Sequence, residues 1–208
     1  MMKRSIVFLA LAGAILVAGN VLAVDPSWRG QAGTTWQSWG FDTDSNPSAP
    51  DAGVNPNGDA SLSVAGSFPL TSWLPEDLGH DGVWKFEDFI QIDIPNFDIQ
   101  NPVKEIWIQL TYAADSIEQG LAPLILTQPG AVGPAVLEEQ LDLDGTYYTE
   151  TYSLILEPNP DFESIFIQPR NCTLFVDAIT VDTICRVPEP MTIGLLGFGV
   201  LGLLRKRK

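Results

Sequence analysis

Short runs in which apolar and polar residues alternate are the main pattern of the chain between residues 24 and 186. Residues 89–94 place isoleucine on one face and Gln or Asp on the other, and residues 105–112 repeat the pattern with Ile106, Ile108 and Leu110. Similar runs follow at residues 147–157, 165–167 and 175–181, separated by Gly, Pro, Asn and Asp. The pattern therefore predicts an all-β domain of two packed antiparallel sheets, a single β-sandwich over residues 24–186.

The segment from residue 41 to residue 58 lacks this alternation and reads as a long surface loop rich in Pro, Asp and Asn. Asp42 and Asp44 in this loop offer hard oxygen ligands, and Asp177 offers another near the last strand. Oxygen ligands of this kind suit Ca²⁺, so a structural calcium site is one prediction. The alternative is that these residues form turns and keep an acidic surface soluble.

The N-terminus has the pattern of a secretory signal peptide, with Lys3 and Arg4 before an apolar run at residues 6–18. Small residues precede a cut between Ala23 and Val24, where signal peptidase would act. A membrane anchor is the alternative, but at about 1.5 Å per residue this run reaches only about 20 Å, short of a hydrocarbon core of about 30 Å. We expect residues 1–23 to be removed during export.

The C-terminus combines three features in a fixed order over residues 187–208. A proline-flanked glutamate comes first, an apolar run at residues 191–204 follows, and four basic residues end the chain: Val187, Pro188, Glu189, Pro190; Arg205, Lys206, Arg207, Lys208. The apolar run predicts a short transmembrane helix of about 21 Å. The basic cluster should remain in the cytoplasm, which leaves the rest of the chain outside.

This C-terminal arrangement resembles the PEP-CTERM sorting signal of exported proteins from bacteria with exopolysaccharide-rich envelopes. The resemblance implies processing by an exosortase, a membrane-embedded cysteine transpeptidase that cuts near the Pro-Glu-Pro tripeptide, and a location at the cell envelope, cell surface or extracellular matrix. The two prolines would keep the segment extended and accessible. The alternative is a proline-containing spacer before a plain tail anchor. Residues 174–182 are separately similar to the closing strand of galactose-binding-like jelly rolls.

Charge and motif content exclude or disfavour several functions. Six of the 11 basic residues lie at the ends, so that five oppose 26 acidic residues between them, a net charge of −21 that repels nucleic acid. A Ser-His-Asp site would need His80, the only histidine, yet no Gly-x-Ser-x-Gly sequence or phosphate loop accompanies it. We therefore expect a non-catalytic structural or interaction module. A secreted carbohydrate-active hydrolase with paired carboxylates is the alternative.

Six tryptophans are many for a domain of this size. Trp107 alternates out of phase with Ile106 and Ile108, so it should face away from the apolar side of its strand. Exposed tryptophans stack on sugar rings, which predicts a site for neutral polysaccharide formed by some of the following residues: Trp36, Trp39, Trp73, Trp84 and Trp107. The alternative is that these rings fill the sandwich or lie beneath the long loop.

The two cysteines, Cys172 and Cys185, are in an exported domain where oxidation is permitted. A disulfide between them requires the chain to reverse direction between the two residues, because their Cα atoms must approach within about 7 Å. The jelly-roll resemblance instead favours one continuous strand over this stretch. We expect the disulfide, and the two expectations exclude each other.

Overall fold

The computed structural model of the 208-residue chain describes residues 25–96, 102–115 and 122–186. The residues assigned to processing and membrane topology lie outside these ranges, at Ala23, Val24, residues 187–190 and residues 205–208, as does the predicted transmembrane helix. Within the described ranges, no helix is long and apolar enough to cross a membrane.

Regular structure in the described residues consists of β-strands. Their bounds are β1 Thr34–Trp39, β2 Ala52–Val54, β3 Ser61–Val64, β4 Ser72–Asp77, β5 His80–Phe86, β6 Ile90–Pro95, β7 Val103–Ala114, β8 Leu124–Gln128, β9 Val136–Asp142, β10 Tyr148–Leu156, β11 Phe162–Gln168 and β12 Leu174–Arg186. These strands form two sheets in which every pair is antiparallel.

The large sheet has the strand order β2-β1-β12-β7-β10-β9, and a β4–β5 hairpin joins it where β5 pairs with β12. The small sheet has the order β3-β6-β11-β8. β1 and β5 pair with successive parts of one edge of β12, and a bulge in β12 lies between Val176 and Ala178. The central position of β12 means that the last strand of the domain organises most of the large sheet.

The core lies between the two sheets and is built from the alternating apolar positions. Ile90, Ile92 and Ile94 of β6 are fully buried, and so are Ile106 and Ile108 of β7 in the facing sheet. Successive strand residues point to opposite faces, so period-two alternation buries one face of each strand. The predicted all-β fold of two packed sheets is therefore confirmed.

The predicted disulfide is wrong, because β12 continues without reversal from Leu174 to Arg186. At about 3.3 Å per residue the strand carries Cys185 about 36 Å from Leu174, whereas a disulfide needs Cα atoms within about 7 Å. Cys172 comes just before Leu174 and packs against the core, and neither cysteine is in a disulfide. The expectation of a continuous closing strand is the one that holds.

The start of β1 and the end of β12 meet at one end of the sandwich. Thr34 of β1 pairs with Ile184 of β12, and the backbone N–H of Cys185 donates a hydrogen bond to the carbonyl of Gly33 at 3.0 Å. We call this region, formed by Gly33, Thr34, Ile184 and Cys185, the terminal pole. The start of β1 and the end of β12 are therefore adjacent at the terminal pole.

Candidate functional site

Two of the five candidate tryptophans lie in the core, and a third packs against it. Trp39 and Trp84 are only 1% and 6% exposed within the core cluster. Trp73 packs against the same cluster, and its indole N–H donates to the carbonyl of Phe41 at 2.9 Å. The prediction of an exposed polysaccharide site is therefore wrong for Trp39 and Trp84, which are buried, whereas Trp73 is partly buried.

Trp36 and Trp107 lie in one row across the outer face of the large sheet. Trp36 is directly paired with Asp182, and Asp182 is directly paired with Trp107. Trp107 does point away from Ile106 and Ile108, as its phase predicts, and both tryptophans are partly buried. The sheet therefore places one carboxylate between two indole rings.

Residues 25–31, which precede β1, cover this row. The Arg29 guanidinium donates two hydrogen bonds of 2.5 Å to the Asp182 carboxylate and lies 5.1 Å from the ring centre of Trp36. Trp28 packs edge-on against Trp107 at 6.4 Å between ring centres. Burial raises the pKa of Asp182, and the Arg29 guanidinium acts against this rise. The row that contains Trp36 and Trp107 is thus covered by the chain's own N-terminal segment.

A second set of contacts joins Trp107 to the last residue of β12. The Trp107 indole N–H donates to Oε1 of Glu105 at 3.0 Å. Oε2 of Glu105 accepts from Nε and Nη2 of Arg186 at 2.8 and 2.5 Å. We call Glu105, Trp107, Trp28 and Arg186 the terminal latch.

A buried ion pair lies on the inner side of the terminal pole. Lys104 and Glu163 are both 0% exposed, and the Lys104 ammonium binds Oε1 of Glu163. Nδ2 of Asn96 donates to Oε2 of Glu163 at 3.0 Å and to Oδ1 of Asn159 at 2.7 Å. Burial raises the pKa of Glu163, whereas Lys104 and Asn96 act to lower it.

His80 is at the centre of a side-chain cluster that no motif in the sequence predicts. Its Nδ1 lies 3.0 Å from Asp177 and its Nε2 lies 3.4 Å from Asp144. The imidazole stacks on the Tyr147 ring at 3.8 Å, and the Tyr147 hydroxyl donates to Asp77 at 2.9 Å. The cluster fastens the β4–β5 hairpin to the β12 bulge and to the loop before β10.

The pKa values of Asp144 and Asp177, the two carboxylates next to His80, are shifted by different causes. Backbone N–H groups of Tyr147 and Thr146 lower the pKa of Asp144. Burial raises the pKa of Asp177, and the hydrogen bond with His80 opposes that rise. No local sequence motif predicts this arrangement, because His80, Asp144 and Asp177 come from distant parts of the chain.

The calcium prediction receives no support from the placement of its three residues. Asp177 is engaged with His80, while Asp42 and Asp44 lie exposed in the loop after β1. Within residues 25–96, 102–115 and 122–186, no group of three or more His, Cys, Asp or Glu side chains could hold a metal ion.

A groove of about 400 Å³ opens where the chain crosses from β8 of the small sheet to β9 of the large sheet. Its walls are mainly apolar and include Leu124, Leu137 and Leu154, with Tyr152 and Arg170 as polar contributors. Tyr152 is nearly buried and donates its hydroxyl proton to the buried Glu150 carboxylate. Burial raises the pKa of Tyr152, so its hydroxyl remains protonated.

The walls of the groove are held by a hydrogen-bond network around that carboxylate. Glu150 also accepts from the Tyr112 hydroxyl at 2.9 Å and from Nε2 of Gln140 at 2.7 Å. These bonds join β7, β9 and β10, which fixes Tyr152 in one orientation.

Comparison with known proteins identifies the C-terminus and leaves the sandwich without a relative. The family model for the PEP-CTERM protein-sorting motif matches residues 186–208. No curated protein and no solved structure matches the chain, so the jelly-roll resemblance has no support beyond the sequence. The chain carries a PEP-CTERM sorting motif, which marks it as an exported protein that is processed by exosortase and attached to the cell envelope or surface.

Proposed function

We propose that the sandwich is a non-catalytic binding module displayed at the cell surface, and that it binds neutral polysaccharide in the groove between β8 and β9. The observation that carries this proposal is the groove itself. Its volume of about 400 Å³ lies in the range of small-ligand sites, and its lining combines apolar walls with a few polar groups.

The groove offers apolar side chains and a basic side chain in positions that suit a sugar ring. The C–H face of a sugar can pack on Leu126 and Leu137, which line the groove and are 42% and 45% exposed, while the Arg170 guanidinium can donate to hydroxyl oxygens. Tyr152 is buried behind the groove, where its bond with Glu150 holds the ring in place. This arrangement would bind one ring of a chain and leave the neighbouring rings in solvent.

The charge of the domain favours a neutral ligand over an anionic one. The net charge of −21 between the two basic ends repels polyanionic glycans at low ionic strength. The groove also lies away from the strand that leads to the sorting signal. β9 is separated from β12 by β7 and β10, about 14 Å at the usual spacing of strands.

Two neighbouring residues of β9 provide a matched test. Leu137 lines the groove and is 45% exposed, whereas Val136 is 53% exposed and pairs with Ser153 on the outer face. We expect Leu137→Asp in the purified exported protein to weaken binding to a neutral glycan at least about tenfold, because a charge replaces apolar contact. Val136→Asp carries the same charge and should bind as the unaltered protein does.

A glycan array identifies a neutral glycan that binds, and titration calorimetry then measures its affinity for both variants. Equal binding by the two variants would remove the groove as the site. Failure of every neutral glycan to bind the unaltered protein would contradict the ligand class.

The alternative is a secreted hydrolase with paired carboxylates. Asp144 and Asp177 approach a common side chain, but they do so from two sides of the His80 ring rather than across an open groove. Release of reducing ends from a neutral polysaccharide, abolished by Asp177→Asn, would favour the hydrolase over the binding module.

A further inference from the structure

The chain leaves the domain while it is still part of the large sheet. Arg186, the last described residue, pairs with Val103, and Cys185 pairs with Lys104. The matched sorting motif begins at this same Arg186, and only Val187 separates it from Pro188. The folded sandwich and the matched sorting motif therefore share Arg186.

The terminal latch holds this shared end in place. Glu105 stands on β7 beside the end of β12, and both oxygens of its carboxylate are used, one by Arg186 and the other by Trp107. Trp28 packs on the Trp107 ring and so limits the rotation of the indole that orients Glu105. The contact with Trp28 comes from the segment that follows the predicted signal-peptide cut.

An enzyme that cuts near the tripeptide must bind the residues before it as extended chain. Peptide backbone that is bound in this way uses its own N–H and C=O groups, and these groups are already paired while Cys185 and Arg186 remain in the sheet. The end of β12 must therefore separate from β7, and Cys185 from Gly33, before residues 185 and 186 can enter the enzyme.

We propose that Glu105, oriented by Trp107 and Trp28, is a positioning residue that keeps the end of β12 paired and thereby slows exosortase processing. Opening of the latch precedes the cut. The inference rests on exosortase acting at this sorting signal. It also explains why an aromatic row on the outer face is covered by the N-terminal segment, since that segment completes the latch once the signal peptide is removed.

The test follows conversion of the full-length precursor to its processed form by pulse–chase in cells that contain the exosortase. Glu105→Gln removes the charge pair with Arg186 and leaves the sorting motif unaltered. Because a partly exposed ion pair contributes little, we expect processing to become about two- to fivefold faster. Trp107→Phe keeps an aromatic ring but removes the N–H donor, and it should give a smaller acceleration in the same direction.

Glu139→Gln is the matched control, because Glu139 is exposed on the edge strand β9 and the substitution changes the charge equally. It should process at the unaltered rate. Amide hydrogen exchange provides a second readout: Glu105→Gln should raise exchange at the Cys185 amide and leave the buried Ile179 amide protected.

Two results would overturn the latch. One is a Glu105→Gln rate equal to or below that of Glu139→Gln, and the other is unchanged exchange at Cys185. Glu189→Ala separates this failure from failure of the processing assignment. If that variant is still processed, the sorting signal is not the substrate; if it is blocked while Glu105→Gln behaves as the control, only the latch is refuted.

Discussion

Replacing Lys104 by methionine tests whether the ion pair between Lys104 and Glu163 sustains the end of the sandwich next to the terminal pole. Both side chains are fully buried, and methionine occupies a volume close to that of lysine without its charge. The substitution leaves the Glu163 carboxylate with only the Asn96 amide as a described hydrogen-bond donor. Loss of one partner of a buried pair typically costs about 3–5 kcal/mol, because the remaining charge has neither water nor a counter-ion.

The loss of stability in Lys104→Met should depend on pH in a predictable direction. Burial already raises the pKa of Glu163 above its ordinary value, and removal of Lys104 removes a group that opposes this rise. The folded variant then binds a proton more tightly than the unfolded chain does. Its stability should fall as pH rises above the unfolded value of about 4.3 toward the raised folded pKa, by up to about 1.4 kcal/mol per pH unit.

Urea unfolding of the exported protein, followed by tryptophan fluorescence at pH 5 and pH 7, measures the free energy of unfolding and its dependence on pH. We expect Lys104→Met to lose more stability at pH 7 than at pH 5. The double variant Lys104→Met with Glu163→Gln should recover most of the loss, because glutamine is neutral and can still accept from Asn96. A cost below about 1 kcal/mol at pH 7, or equal costs at the two pH values, would refute the importance of this pair.

Two further predictions concern the backbone of the β4–β5 hairpin. Leu78 has a φ of 51° in the two-residue turn between Asp77 and His80 and is 68% exposed, so Leu78→Asn should stabilise the protein by about 1 kcal/mol in thermal unfolding; Leu70→Asn, also at an exposed leucine, should have no such effect, and equal shifts would contradict the turn argument. A Cβ at Gly82 would lie 2.2 Å from the Phe41 carbonyl oxygen at a φ of 72°, so Gly82→Ala should destabilise by at least about 1–3 kcal/mol, whereas Gly130→Ala meets no atom within 4 Å and should be nearly neutral. A neutral Gly82→Ala would show that the hairpin tolerates displacement from the β1 end.

The strands of the core could be predicted because their side chains report the buried face directly. Ile90, Ile92 and Ile94 alternate with polar residues, and the phase alone orients β6. β1 carries no such signal, since its inner positions are Thr35, Gln37 and Trp39. Because polar residues occupy the inner face of β1, the sequence does not distinguish the outward Trp36 from the inward Trp39.

Contacts between distant segments account for the features that sequence analysis missed. The phase of Trp107 gives its direction but not what lies above it, and the covering residues Trp28 and Arg29 precede the first strand. His80 likewise contacts Asp177, which is 97 residues away in the sequence and lies in a bulge that no local pattern predicts. Tertiary contacts, rather than local propensity, create both arrangements.

The positions of the basic residues connect the charge of the chain to its processing. Of the five basic residues between the two ends, Arg29, Lys104 and Arg186 are each paired with a carboxylate near the end of β12. An acidic domain thus places most of its internal charge compensation at the terminal pole. These contacts keep the last strand paired, and the residues that follow it must be accessible to the processing enzyme. Stronger pairing of the end of β12 would stabilise the sandwich but would also hinder processing. This gives a physical reason for the combination of a fully buried ion pair, Lys104 with Glu163, and a partly exposed one, Arg186 with Glu105, in the terminal latch.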